Sequence, residues 1–142
     1  MSSPPQSYGK PVPLTDPDSD AFWRSLVEHQ LRIQRCLDCA TFRWPSRELC
    51  HRCQSTRSEM AFASGQGKVV TWTLVHHATV SGFADELPYC IGLVQLKESA
   101  DVVLVGAIDV DPSRLRAGTS VRAFYDDVTP DVTLLRWTES DS

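Results

Sequence analysis

The chain has 142 residues, the length of one ordinary domain. Apolar residues make up 42%, enough for a core and against wholesale disorder, and no run reaches the ~20 apolar residues of a membrane helix. The net charge of −4 supplies no global field for nucleic acid.

The opening stretch, MSSPPQSYGKPVPLTDPDSD, has neither a basic start nor an apolar run. It therefore does not read as a secretory signal, and a cytoplasmic chain is expected. In that compartment paired cysteines more often bind metal than form disulfides. Residues 1–17 hold five prolines and are expected to form a flexible arm.

Asp18 or Ser19 can cap a helix running to about Gln30, within a segment 18–31. Phe22, Trp23, Leu26 and Val27 share one face of it, while Arg24, Glu28 and His29 look outward. That face either packs on its own domain or docks on a partner.

Residues 32–62 contain the cysteines. Cys36-Leu-Asp-Cys39 and Cys50-His-Arg-Cys53 are two pairs with two residues between their members. This spacing lets both sulfurs of a pair point into one knuckle, and two knuckles make a tetrahedral four-sulfur site. Geometry would also admit a rubredoxin-like iron, but nothing here requires redox chemistry, so one structural zinc ion is expected. Four thiolates leave no open coordination position for substrate. The metal's binding energy replaces a core that so short a segment cannot build. His51 lies between two ligands and reads as a surface residue.

From Arg32 to Arg57 there are six arginines and two acids, which makes the segment +4 and the rest of the chain −8. Between the knuckles, Thr41-Phe-Arg-Trp-Pro-Ser-Arg47 gathers Phe42, Arg43, Trp44 and Arg47 at one tip. Aromatics and arginines together can stack on a base and hold phosphates. That suits single-stranded nucleic acid or an adenine nucleotide such as coenzyme A. Alternatively, Phe42 and Trp44 pack the ribbon against the β-rich remainder of the chain.

Beyond the ribbon, RSEMAFA leads through a turn at 64–67 into KVVTWTLVHHATV, a run long enough to be bent or bulged. YCIGLVQL, VVLVGAIDV, VRAFYDDV and TLLRWT come next. Asp111-Pro112 opens a helical turn between the third and fourth strands, and Gly118 closes it. This order predicts a mainly β protein: an N-terminal helix, a rubredoxin-like zinc ribbon, and a five-stranded OB-fold barrel over 63–142. A five-stranded sandwich would share the spacing.

Other chemistry-bearing residues are sparse. Cys90, inside an apolar strand, reads as a buried small hydrophobe rather than a nucleophile, because no basic neighbour in sequence would lower its pKa. His76 and His77 are expected on one strand, on opposite faces, with no nucleophile or orienting acid nearby. Asp85-Glu86 and Asp126-Asp127 read as solvated loop acids.

The ordered set of Phe22-Trp23, Ile33-Gln34-Arg35-Cys36-x-x-Cys39, Phe42-Arg-Trp-Pro45 with Arg47, Cys50-x-x-Cys53, Ser64-Gly-x-Gly67-x-Val69, Pro88-Tyr89 and Asp111-Pro112 to Gly118 resembles a known family. Its members are acyl-CoA-associated proteins joining a zinc ribbon to a C-terminal OB fold. Ala40 and His51 depart from the glycine and proline common at those places. The resemblance implies a non-catalytic accessory subunit of a thiolase-like complex (thiolase, thiolase-like aldolase or acyltransferase). Its partner would be a thiolase-like chain in a hetero-oligomer, and its ligand an acyl-CoA thioester. Arg35, Phe42, Arg43, Trp44 and Arg47 are then the candidate coenzyme A or partner contacts. A single-stranded nucleic-acid binder is the alternative, though the presumed barrel carries most of the negative charge. A stand-alone acyl-CoA enzyme using Cys90 or a histidine is a third reading.

Overall fold

The computed structural model describes residues 8–80 and 82–140. The first seven residues of the arm, and Ser81, Asp141 and Ser142, lie outside the described residues.

Helix α1 spans Asp20–Val27. Ser19 precedes it without a side-chain cap. Instead the Asp16 carboxylate accepts the Ser19 N–H at 2.8 Å. Phe22, Ser25 and Leu26 are buried, whereas Val27 is 41% exposed. The apolar face is thus rotated from the expected one, because Ser25 donates its hydroxyl to the Phe22 carbonyl at 2.7 Å and goes inside without an orphaned polar group. The helix stops before Gln30 because His29 turns left-handed, with φ 57°, while its N–H bonds the Leu26 carbonyl at 2.8 Å.

Three strands form the ribbon sheet: β1 (Leu31–Cys36), β2 (Phe42–Arg43) and β3 (Ser58–Ala63), antiparallel in the order β2-β1-β3. Leu31 and Ile33 of β1 are fully buried. Leu31 and Ile33 alternate with the half-buried Arg32 as in a half-buried strand, and Gln34 breaks the alternation by being buried as well.

The barrel comprises β4 (Gln66–Val75), β5 (Tyr89–Leu96), β6 (Val103–Asp109), β7 (Ser120–Thr129) and β8 (Val132–Glu139). It is closed in the order β4-β5-β6-β8-β7, with β4 pairing β7. That is the OB-fold order. The long first strand carries the expected irregularity: Val69 pairs Val94 and Thr71 pairs Leu93, leaving Val70 extra. The bulge switches parity, so Val69 faces the core before it and Trp72 and Leu74 after it. The helical turn is Pro112–Arg114, with the Asp111 carboxylate accepting the Ser113 N–H at 3.0 Å. Gly118, at φ 92°, closes it and donates its N–H to the Val69 carbonyl at 2.8 Å.

Three sequence expectations need correction. His76 and His77 lie past the end of β4 rather than on it. Asp126 and Asp127 lie in β7, not in a loop, and both are engaged: Arg136 lies 3.7 Å from Asp126, and His29 lies 2.9 Å from Asp127. Glu86 is likewise paired, with Lys10 of the arm.

Ribbon, helix and barrel share one core. Phe22 and Leu26 of α1, Leu31 and Ile33 of β1, and barrel residues around the fully buried Trp137 form a single cluster. The His29 ring also stacks on Tyr125 at 5.3 Å. Leu26→Ala should therefore cost about 2–5 kcal/mol of unfolding free energy by thermal or chemical melts. Asp127 accepts hydrogen bonds from Thr133 and His29, in that order of weight, which hold its carboxyl below the ordinary 3.8. A depressed carboxyl stabilises the fold above its unfolded pKa, and the benefit disappears as pH falls through the folded value. Asp127→Asn should consequently flatten the loss of thermal stability as pH falls below ~5, read by thermal melts across the acid range.

Candidate metal centre and ribbon tip

Cys36 and Cys39 flank one turn at the end of β1, and Cys50 and Cys53 flank a second turn before β3. The four sulfurs lie within 4.8 Å of one another. Cys36 Sγ is 3.5 Å from Cys53 Sγ, and Cys39 Sγ is 3.6 Å from Cys50 Sγ. A tetrahedron with metal–sulfur bonds of ~2.3 Å has edges of about 3.8 Å, so the donor set fits zinc.

The two knuckles share three backbone N–H bonds. Asp38 N–H points at Cys36 Sγ and Arg52 N–H at Cys50 Sγ, both at 3.4 Å. Ala40 N–H bonds the Cys36 carbonyl at 3.0 Å, and Gln54 N–H the Cys50 carbonyl at 2.9 Å. Cys36 N–H and Cys50 N–H then bond the Thr41 and Ser55 carbonyls, both at 2.9 Å. Ala40 and Gln54 both adopt φ 64°. A side chain in this left-handed conformation is strained, which is why the departure from glycine at Ala40 leaves the ligands in place at a local conformational cost.

The same geometry sets the thiol chemistry. Backbone N–H groups, first that of Cys39, hold the Cys36 thiol down at about 6. Cys50 is lowered for the same reason, with the Cys53 N–H first. At Cys53 the Ser55 N–H pulls downward, but the Cys36 sulfur, burial and the other two thiols push it up to about 12. Without a cation, the cluster cannot hold four thiolates at once; a divalent ion permits all four. Cys90, by contrast, is 5% exposed and burial raises its thiol, the opposite of an activated nucleophile.

The tip is built on one carbonyl. Gln34, on β1, donates to Arg47 O at 2.8 Å and accepts the Arg47 N–H at 2.7 Å. Arg43 Nε and Nη2 add bonds to the same carbonyl at 3.2 and 2.9 Å. Arg43 is 3% exposed, so it holds the loop from within and is withdrawn from the candidate contacts. Trp44 packs on Phe22 of α1, with ring centroids 4.3 Å apart. Phe42 is half-buried, 6.0 Å from the Arg35 guanidinium, which also pairs with Glu59 at 3.3 Å. Arg47 is exposed, and no carboxylate pairs with it among the described residues. His51 is exposed, and its ring is outside the sulfur cluster.

One arginine–aromatic pair, a half-buried arginine on an exposed ring, escapes the sequence. Arg32 lies 4.5 Å over the ring of Phe62, which is 64% exposed. Cross-strand register brings the two together, Arg32 facing Phe62 between β1 and β3. The only available signal was the alternation of the two strands, and it does not fix register.

Two family models match: the ChsH2 rubredoxin-like zinc ribbon domain over residues 23–59 and the ChsH2 C-terminal OB-fold domain over residues 61–126. A DUF35 domain-containing scaffold protein of Pyrococcus furiosus is 35% identical over 113 residues, covering 80% of this chain and 78% of the relative. A probable enoyl-CoA hydratase alpha subunit of Thermomonospora curvata is 29% identical over 125 residues, covering 88% of this chain. The chain spans only 38% of that relative's length. Among solved structures, a chain of the Ltp2-ChsH2(DUF35) aldolase superposes with a TM-score of 0.80 at 28% identity, covering 89% of this chain and 98% of that one.

Metal analysis of the purified chain should give one zinc per chain, and Cys39→Ser should lose it. Ala40→Gly relieves the left-handed strain but adds freedom to the unfolded chain, so it should be neutral or stabilise by up to about 1 kcal/mol in melts of the zinc-loaded protein. With a ribbon and a barrel matching in order, and a relative of 35% identity matched over most of both chains, the chain belongs to the DUF35 family.

Proposed function

We propose that this chain is a non-catalytic accessory subunit that assembles with a thiolase-like chain and helps it hold an acyl-CoA thioester. The observation that carries the reading is the likeness to nearly the whole of a chain in the Ltp2-ChsH2(DUF35) aldolase, at a TM-score of 0.80. The Pyrococcus furiosus relative is named a scaffold protein, which agrees with a supporting role, and the Thermomonospora curvata relative is named for enoyl-CoA chemistry.

The chemistry of the site is consistent with that division of labour. The four-cysteine cluster is coordinatively closed, and the Cys90 thiol is buried and raised. What the ribbon offers outward without an acidic partner among the described residues is cationic: Arg47 at the tip, and the half-buried Arg32 on the exposed ring of Phe62. Such groups suit the phosphates and adenine of coenzyme A, or the acidic surface of a partner. The nucleic-acid alternative needs a continuous positive groove. Arg35, Arg52 and Arg57 already face Glu59, Asp101 and Asp38.

Co-expression with a thiolase-like chain should yield a complex that survives size-exclusion chromatography, with turnover absent from this chain alone. Arg47→Ala should weaken coenzyme A or partner binding about two- to fivefold, the scale of one exposed ion pair. A chain that stays monomeric beside every thiolase-like candidate, or that turns over an acyl-CoA alone, would contradict the proposal.

A further inference from the structure

Beyond the ribbon tip, the structure contains a cavity of about 960 Å³. Its floor is the seam between β6 and β8, which pair only at Ile108–Trp137 and Asp109–Thr138. Gly106 lies in this seam, where an added Cβ would lie 3.1 Å from the Leu135 carbonyl. One wall is aromatic: Phe22 and Trp23 at 5.2 Å, edge to face, and Trp44 on Phe22. The arm forms another wall. Lys10 pairs with Glu86, and its ammonium lies 5.0 Å from the centroid of Phe83 and 5.4 Å from that of Tyr8.

The volume is at the upper end of the ~300–1,000 Å³ range of small-molecule sites. The charged groups along it are answered from within. Lys10 faces Glu86, and Arg136 faces Asp109 at 2.9 Å and Asp126 at 3.7 Å. A carboxylate or phosphate would have to displace one of these acids, so the chamber suits an uncharged apolar group. Its aromatic wall ends at Trp44, in the same loop as the exposed Arg47. Trp44 thus stands three residues in sequence from the exposed tip arginine, which has no acidic partner among the described residues.

We infer that this cavity receives the acyl group of the thioester, and that the group is a bulky, uncharged hydrocarbon rather than acetyl. The inference rests on the acyl-CoA reading above. An acetyl group would leave most of the chamber unfilled, whereas each additional buried methylene should tighten binding about fourfold.

The test uses the zinc-loaded full chain, titrated with coenzyme A, acetyl-CoA, octanoyl-CoA, cyclohexanecarbonyl-CoA and octanoyl-N-acetylcysteamine. Calorimetry is read together with tryptophan fluorescence, since Trp23 and Trp44 line the chamber. Octanoyl-CoA and cyclohexanecarbonyl-CoA should bind at least tenfold tighter than acetyl-CoA, and only bulky acyl groups should shift the fluorescence. Val105→Trp, at a residue 65% exposed, and Ala107→Trp should narrow the chamber and flatten the series, with melting curves reporting that both fold. Equal affinity for coenzyme A and all its thioesters would overturn the cavity assignment while leaving the accessory role standing. Binding of octanoyl-N-acetylcysteamine without any coenzyme A species would support the cavity and sink the acyl-CoA reading. Binding of none of the five would overturn both.

Discussion

Four thiolates within 4.8 Å repel one another unless a divalent cation sits among them. The sequence around them contains little that would otherwise hold it folded: the ribbon, sheet and turns together, contributes only Leu31, Ile33 and the ligands Cys36 and Cys50 to the fully buried apolar set. The two knuckles solve the problem locally. Each aims backbone N–H groups at its first sulfur and turns back through a left-handed residue. A bound metal then converts that repulsion into cross-links between residues far apart in the chain.

From the knuckles the constraint passes in two directions. Toward the tip it runs along β1 to Gln34, which grips both the N–H and the carbonyl of Arg47, with Arg43 reinforcing the carbonyl. Toward the barrel it runs through Ile33 and Leu31 into Leu26 and Phe22, and so into the core around Trp137. The helix is the wedge between the two halves, and His29 fastens its end to Asp127 and Tyr125. An accessory subunit that is to present a tip to another chain needs this rigidity, since each freely rotating side chain that must be fixed on association costs ~0.5–1.5 kcal/mol.

Features set by local spacing were legible in the sequence. The four ligands, the bulged first barrel strand, the Asp111–Gly118 turn and the succession of barrel strands all arise from patterns a few residues long. Features set by register or by tertiary packing were not. Arg43 read as an exposed phosphate contact because nothing local says that its guanidinium turns inward to Arg47 O. Val27 read as part of the helix's apolar face, and Ser25 did not, because helical periodicity does not foresee a buried Ser25 satisfied by the Phe22 carbonyl. The Arg32–Phe62 stack depends on the pairing of β1 with β3. The twofold likeness of the knuckles was present as two Cys-x-x-Cys pairs, but its extent lies in backbone bonds that no side chain reports.

The metal centre is expected to rigidify the tip while the closed barrel keeps its own fold. Amide hydrogen exchange on the zinc-loaded and chelated chain tests this most directly. The Arg47 amide, held by Gln34 Oε1, and the β1–β3 ladder should lose protection on chelation, while the β4–β5 and β7–β8 ladders keep theirs. Unchanged protection at Arg47 and along β1 after zinc removal would contradict the account.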